Sequence, residues 1–386
     1  MRGQGLNSWI GSVIALSATG LSAQVLQVSN PADAAQALAP QWFASAYSLD
    51  ANTFASTAGL GHLLGDQSYL GDIQYAPRDG KNFAIRETQV AIGYQAAGWR
   101  VSIFQRQSLW LDIEQKTLDL LYANMAQRRL DPHLTFAIDA QFTGYQSRGL
   151  KLEKALVFPV VGEQTLTLGA GINILTGTDL RLIDAKGNAN QTVAGFRYSL
   201  NTNDSFSDAS YPYIRPASVS AQGYSVDWGL RYVLNANHSV ALAVNDDFSS
   251  MIWRNMPNTQ LLVSNQETSK DENGFTRPML SGQNDINRRM ITQVLEPRYQ
   301  LTWAYNDSQR YWNIFTQRIR AQSMGGLNYG WRWVDDHWLS LGWENAFKSI
   351  SWGYTGPVFS VTYRMQPTRA NQPSIESLSV AGALAF

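Results

Sequence analysis

The chain has 386 residues, and its 30 Lys and Arg are balanced by 30 Asp and Glu, so the formal net charge is zero. This balance excludes a protein that binds nucleic acid or another polyanion through bulk electrostatics. The absence of Cys excludes a disulfide scaffold, thiolate metal sites and a Cys nucleophile. Charged residues make up only 16% of the chain, yet a mean hydropathy of -0.24 is too polar for a bundle of membrane helices.

Residues 1–23 are predicted to be a secretory signal. Arg2 is their only charge, and Trp9 to Leu21 form a mostly apolar core that ends in small residues. The core is too short to cross a bilayer as a helix, and an uncleaved anchor is the alternative reading. We expect 24–40 to be a flexible mature N-terminus, because this stretch is rich in Ala, Gln, Ser and Asn, and 41–386 to be the folded domain.

Alternation with a period of two runs through most of the chain after residue 41. Tyr224–Leu234, Gln164–Leu175 and Phe359–Met365 each carry an apolar residue at every second position and Gly, Ser, Thr, Asn or charged residues between. A soluble β-sandwich also alternates. Strand lengths near ten residues, and Trp or Tyr at the ends of the apolar faces, favour an all-β transmembrane antiparallel β-barrel.

The number of strands depends on how the tight turns are arranged. We predict about 14 strands, within a range of about 12 to 16, because bacterial barrels have even strand numbers. The turns Asn235–Asn237, Asn306–Ser308 and Asp335–Asp336 do not all fall on one side of the membrane unless one predicted strand is added or removed. Ser349–Tyr354 is a candidate for an added strand.

The last segment gives the sharpest signal. Leu378, Val380, Gly382, Leu384 and Phe386 lie on one face of a strand, and small residues lie on the other. This pattern resembles the C-terminal signature of bacterial outer-membrane β-barrel proteins, a final amphipathic strand ending in Phe, although Leu384 stands where an aromatic residue is common. The resemblance implies a location in the cell outer membrane, contact with its lipid, and an assembly signal of Leu378, Val380, Leu384 and Phe386 for the barrel-assembly machinery.

Residues 117–129 lack alternation and predict a short helix. Helical spacing relates Leu118, Leu121, Tyr122 and Met125. In a barrel this helix is either a plug in the lumen or a helix on the rim, with an ordinary loop as the alternative. Asn201–Gln222 and Ser264–Asn287 are long and polar, and they predict loops.

Catalytic chemistry has little support in the sequence. The four His residues are His62, His133, His238 and His337, and all are predicted to lie in loops or beside turns. No nucleophile elbow, zinc helix or phosphate loop is present. We therefore predict no enzymatic activity, no cofactor and no metal site, with a lipid hydrolase built from a Ser and a His on separate strands as the remaining enzyme alternative.

The charges on the polar faces are the better functional lead. A charge facing lipid costs roughly 2–4 kcal/mol at the bilayer midplane, so charged residues of the strands are expected to face the lumen. The predicted lumen-lining residues are Asp139, Asp227, Arg231, Asp247, Glu296, Arg298, Arg332, Glu344 and Arg364. Their mixed signs fit a plugged barrel with ion pairs across the lumen or a weakly selective pore. The alternative is that they only hold a filled lumen together.

Two kinds of function follow from this pattern. An outer-membrane pore or transporter for a small solute, gated by the long loops or by the 117–129 helix, is the favoured one. A non-conducting barrel that acts as a scaffold, an adhesin or a partner of an envelope or secretion system is the alternative. No nucleic-acid partner is expected.

Overall fold

The computed structural model is a β-barrel closed by 14 antiparallel strands, as the alternation predicted. Closure joins the first strand to the last, with Gln41 opposite Ala385 and Asn52 opposite Ser374. The structure describes residues 28–36, 39–54, 77–125, 134–192, 195–208, 218–265, 268–270, 276–278, 281–320, 322–366 and 374–385. The predicted signal at 1–23 and the terminal Phe386 lie outside these residues.

The elements are numbered in chain order. A 3-10 helix (Pro31–Gln36) comes first, and the one α-helix of the described residues is α1 (Gln115–Met125). The strands are β1 (Gln41–Asn52), β2 (Lys81–Ala96), β3 (Trp99–Glu114), β4 (Thr135–Pro159), β5 (Thr165–Thr192), β6 (Gly195–Phe206), β7 (Ser220–Val233), β8 (His238–Ser264), β9 (Thr268–Lys270), β10 (Thr276–Pro278), β11 (Ser281–Gln293), β12 (Arg298–Asn306), β13 (Arg310–Ile319), β14 (Gln322–Val334), β15 (His337–Glu344), β16 (Ser349–Thr355), β17 (Phe359–Met365) and β18 (Ser374–Ala385).

The wall follows the order β1, β2, β3, β4, β5, β7, β8, β12 and then β13 to β18. Strand β8 has 27 residues and is continuous, and β16 is the strand suspected at Ser349–Tyr354. Because β8 is one continuous strand, the turns after β7, β12 and β14 all lie at one end of the barrel. The three tight turns at 235–237, 306–308 and 335–336 are therefore on the same side of the membrane.

Strands β6 and β11 extend the wall at the opposite end. Strand β6 pairs with the second halves of β5 and β8, beyond the point where β7 pairs with their first halves. Strand β11 pairs with the second half of β8. Much of the material predicted as loops at 201–222 and 264–287 is therefore strand, because it bonds to neighbouring strands that are unusually long.

The two ends of the barrel differ. The short-turn end carries both ends of the strand series and the tight turns after β2, β4, β7, β12, β14 and β16. The long-loop end carries the connections after β1, β3, β8 and β17 together with the extension by β6 and β11. Within the described residues, no helix is long and apolar enough to cross a membrane.

The outward face carries an apolar belt. On β2, Val90 and Ile92 are more than half exposed, and Ala91 between them is buried and points inward. Aromatic pairs join neighbouring strands on this face, including Trp42 with Tyr94 at 5.4 Å between ring centroids and Trp352 with Tyr363 at 4.9 Å. An exposed belt with Trp and Tyr is typical of a wall that faces lipid.

Helix α1 lies on the rim and does not plug the lumen. It covers Gln115–Met125, so 126–129 of the predicted helix fall outside the described residues. Leu118 packs with Ala84 and Ile113, which alternation places on the outward faces of β2 and β3. The helix therefore uses its apolar stripe against the outer side of the barrel at the long-loop end.

Candidate functional site: the barrel lumen

A layer of paired charges crosses the middle of the lumen. Lys151 Nζ lies 2.7 Å from Asp227 Oδ2 and 3.0 Å from Glu153 Oε1. The other side of Glu153 receives Arg100 at 3.2 Å. Neighbouring strands β3, β4, β5 and β7 bring these groups together, because their inward positions are in register.

The same layer continues towards β8 and β12. Arg106 binds Asp246 through both terminal nitrogens, at 2.6 Å and 3.3 Å, and Ser225 donates to Asp246 at 2.7 Å. Arg298 pairs with Glu87 from the opposite side of the lumen. Asp246 reaches this position because a bulge in β8 gives it a φ of 58° and turns its side chain inward.

We call these eight residues the charged layer: Glu87, Arg100, Arg106, Lys151, Glu153, Asp227, Asp246 and Arg298. Four are acids and four are bases, so their formal charges cancel. All except Arg100 and Lys151 are less than 9% exposed. Buried carboxylates and guanidinium groups are tolerated only when they are paired, which explains why the signs alternate through the layer.

Residues 28–36, which we call the plug segment, fill the lumen between the charged layer and the short-turn end. Ser29 exchanges two hydrogen bonds of 2.8 Å with the side chain of Asn245, and Lys151 donates to the Ser29 hydroxyl at 2.6 Å. Asp33 forms an ion pair of 2.7 Å with Arg231. Residues 24–40 were expected to form a flexible leader; in the structure, residues 28–36 of that stretch make these specific polar contacts with the wall.

Two glycines make room for the plug segment. Gly169 on β5 and Gly229 on β7 face each other in register and point inward. A methyl group at Gly169 would overlap the backbone of Pro31 and Ala32, and one at Gly229 would overlap the side chain of Asn30. The missing side chains therefore form a notch shaped to the backbone of the segment.

An apolar layer lies on one side of the lumen nearer the long-loop end. Its members come from β1, β2, β3, β13, β14 and β18 and from the turn after β15, and they are Tyr47, Leu49, Ala51, Phe83, Ile85, Trp110, Ile319, Met324, Phe347 and Ile375. Glu344 holds that turn by accepting hydrogen bonds from the backbone N–H groups of Ala346 and Phe347. These buried side chains fill part of the lumen at this level.

A cross-lumen latch lies above the apolar layer. Arg320, in the turn between β13 and β14, pairs with Asp112 on β3 and lies 3.2 Å from Glu296. Its guanidinium stacks over the ring of Trp110 at 4.9 Å. A small cavity beside the latch, bordered by Trp110 and Tyr145, has room for about one water molecule.

The structure brings together only some of the predicted lumen residues. Asp227 and Arg298 belong to the charged layer, and Arg231 holds the plug segment. Glu344 and Arg364 are buried elsewhere in the lumen. Each lies where alternation placed it, on the face opposite the apolar belt.

The other predicted lumen residues lie nearer the ends or on the outside. Asp247 differs from the prediction, because the β8 bulge leaves its carboxylate accepting from the indole N–H of outward-facing Trp228. Glu296 lies in the link before β12 and joins the latch, and Arg332 pairs with Asp336 at the short-turn end. Asp139 lies at the long-loop end, where its backbone N–H donates to Thr117.

Sequence reasoning missed most of the charged layer. The run from Leu150 to Glu153 alternates apolar and charged residues, and this signal was sufficient to place Lys151 and Glu153 inward. No such signal identified Asp246, since its inward position depends on the bulge. The plug segment was missed because its partners, Asn245 and Arg231, are distant in sequence.

The described His residues are apart from one another and from the charged layer. His238 packs on Trp303 at 5.6 Å, and His337 Nδ1 lies 2.6 Å from the hydroxyl of Tyr354. Each is the first residue of a strand and lies at the short-turn end. His62 and His133 fall outside the described residues. Among the residues that the structure describes, no group of three or more His, Cys, Asp or Glu side chains is arranged to hold a metal ion.

Comparison with known proteins identifies similar folds only. No protein-family model and no curated protein matches the chain. Solved structures that are similar include a Pseudomonas putida toluene transporter, TodX, at 10% identity and a TM-score of 0.43, covering 95% of this chain and 96% of TodX. A TodX deletion mutant described as a monoaromatic hydrocarbon channel has a TM-score of 0.48 at 10% identity, with 93% of each chain covered. The outer-membrane protease OmpT of Escherichia coli has a TM-score of 0.20 at 7% identity, covering 90% of this chain and 95% of OmpT. Likenesses this weak do not bear on function.

Proposed function

We propose that this protein is an outer-membrane channel or transporter for a small solute, closed in the present conformation by a removable plug. The observation that carries the proposal is the plug segment in its glycine notch. The segment buries Val28, Ala32 and Ala34, and it is also held by polar contacts and an ion pair to the wall. Polar partners of this kind can be exchanged for water when the segment leaves the lumen.

The proposal also fixes the direction of the barrel. Bacterial outer-membrane barrels have short turns on the periplasmic side and longer loops outside. The plug segment therefore enters from the periplasm, and the Arg320 latch faces the exterior. The predicted cleaved signal, the outer-membrane lipid and the assembly machinery remain parts of this proposal.

Planar-bilayer conductance of the refolded mature chain tests the proposal. We expect the full chain to be silent or to open rarely, and a variant lacking residues 24–36 to conduct steadily. The matched control removes residues 115–125, because α1 lies on the outer rim, and this variant should conduct no better than the full chain. Silence of the variant that lacks 24–36, with its barrel folded, would contradict the proposal.

A non-conducting barrel is the second candidate, and a specific observation favours it. The charged layer spans the lumen from β2 to β12, the apolar layer lies on β13, β14, β18 and β1 to β3, and together these buried side chains resemble a packed core. If this candidate holds, removal of the plug segment leaves both layers intact and no current flows. A search for an envelope partner of the long-loop end is then the next experiment.

A further inference from the structure

Arg364 is a buried arginine of the lumen that forms no ion pair with a residue that the structure describes. It lies on β17, its alternation places it inward, and it is 1% exposed. Among the residues that the structure describes, neither Nη1 nor Nη2 of Arg364 has a hydrogen-bond partner. A guanidinium in this state is costly, because burial removes its hydration without replacing it.

The acid that acts on Arg364, Glu344, does not form an ion pair with it. Glu344 acts on it electrostatically, but the Glu344 carboxylate is already bonded to the backbone N–H groups of Ala346 and Phe347 and to the hydroxyl of Ser349. The bases of the charged layer differ, since each has a carboxylate within 3.3 Å. Arg364 is therefore an exception to the charge pairing of the lumen.

Arg364 has small hydroxyl side chains as cross-strand neighbours. They are Ser351 on β16 and Ser377 on β18, both inward and buried, with Cβ atoms roughly 4.5–5.5 Å from that of Arg364. Tyr47 and Glu344 also act on Arg364 electrostatically. Further along β18 towards the short-turn end, Ser379 and Ala381 are only half-buried, which gives the site an approach from that side.

We infer that Arg364 is a binding site for a small carboxylate. Two terminal N–H groups of a guanidinium match the two oxygens of a carboxylate, and neighbouring hydroxyls supply further donors. As the site of a transported solute, this inference rests on the proposed channel function. Binding of the carboxylate itself is measurable without any transport.

Acetate is the probe, and acetamide is its neutral control. Thermal unfolding of the refolded full chain is followed by circular dichroism at constant ionic strength. We expect acetate to raise the unfolding midpoint in a concentration-dependent manner and acetamide to leave it unchanged, because a ligand stabilises the state that binds it. R364Q should abolish the acetate shift. R364K keeps the positive charge but loses the paired N–H donors of the guanidinium, and it should reduce the shift by more than half.

The matched control is R254Q, which makes the same change at an exposed arginine on β8. Its acetate shift should equal that of the wild type. An equal shift in R364Q, or an equal effect of acetamide, would overturn the inference. If R364Q does not fold, the comparison of R364K with R254Q decides the question.

A second measurement separates the site from the channel. In the variant lacking residues 24–36, a gradient of sodium acetate should give a reversal potential that favours the anion, and R364Q should remove this preference. Silence of that variant with the acetate shift intact rejects the channel and keeps the site. Conduction without an acetate shift, and with no effect of R364Q on selectivity, rejects the site and keeps the channel.

Discussion

Two parts of the lumen wall contrast with each other. The wall from β2 to β12 carries the charged layer and holds the plug segment, and its buried acids and bases are paired. The wall from β15 through β18 to β1, which we call the hydroxyl wall, presents many small hydroxyl side chains inward beside apolar residues such as Tyr47, Leu49 and Ile375. The hydroxyl members are Ser45, Ser340, Ser349, Ser351, Ser360, Thr362, Ser377 and Ser379. The first wall pairs its buried charges, whereas in the hydroxyl wall neither Nη atom of the buried Arg364 has a hydrogen-bond partner among the described residues.

This contrast shows two ways in which the interior of a barrel is filled. Paired charges and packed rings fix one side of the lumen, where any change leaves an unsatisfied group. Small hydroxyls cost little to bury and tolerate water or a solute in their place.

The largest effect is expected in the charged layer. R106M leaves the Asp246 carboxylate buried without its main partner, and the free energy of unfolding should fall by about 3–5 kcal/mol. R106M combined with D246N removes both charges and should recover at least half of the loss. Urea unfolding in lipid vesicles measures both variants, and failure of the second change to rescue the first would contradict the pairing.

A smaller effect is expected at the notch. G169A places a methyl group against the backbone of Pro31 and Ala32, and overpacking of this kind costs about 1–3 kcal/mol unless the plug segment leaves. Because the chain has no Cys, A34C gives a single thiol that is buried when the segment is seated. A charged maleimide should label A34C slowly, and A34C/G169A much faster.

The control for the notch is G282A on β11, where an added methyl group has its nearest neighbour at 3.8 Å. Labelling of A34C/G282A should match labelling of A34C alone. Equal slow labelling in all three proteins would show that the glycine notch does not hold the segment.

The latch should affect opening more than stability. Its three charged side chains are partly exposed, so R320Q should cost only about 0–1 kcal/mol. In the variant lacking 24–36, however, R320Q should raise the fraction of time spent open. R318Q, the same change at the exposed neighbour on β13, serves as the control in single-channel records.

The smallest effect is expected in the hydroxyl wall. S377A removes one hydroxyl from a position where neighbouring Ser residues and water supply substitutes, so the free energy of unfolding should change by less than about 1 kcal/mol. Urea unfolding under the conditions used for R106M gives the comparison. A loss as large as that of R106M would mean that the two walls do not differ.

Local alternation in the sequence is sufficient to set the class of fold. Period-two alternation from Tyr224 to Leu234 and from Leu378 to Leu384 assigns the lipid face residue by residue, since a strand has only two faces and lipid rejects charge. The same rule placed Asp227, Arg298 and Arg364 inward. These are local properties, and neighbouring residues in the chain reveal them.

What fills the lumen depends on contacts between residues that are far apart in the chain. The bulge at Asp246, the pairing of Glu87 with Arg298 and the seat of residues 28–36 on Gly169 all join residues far apart in the chain. Alternation tells which way a side chain points but not what it meets across the barrel. Closure of the sheet sets those partners, and so it decides which charges form ion pairs and that, among the described residues, Arg364 forms none.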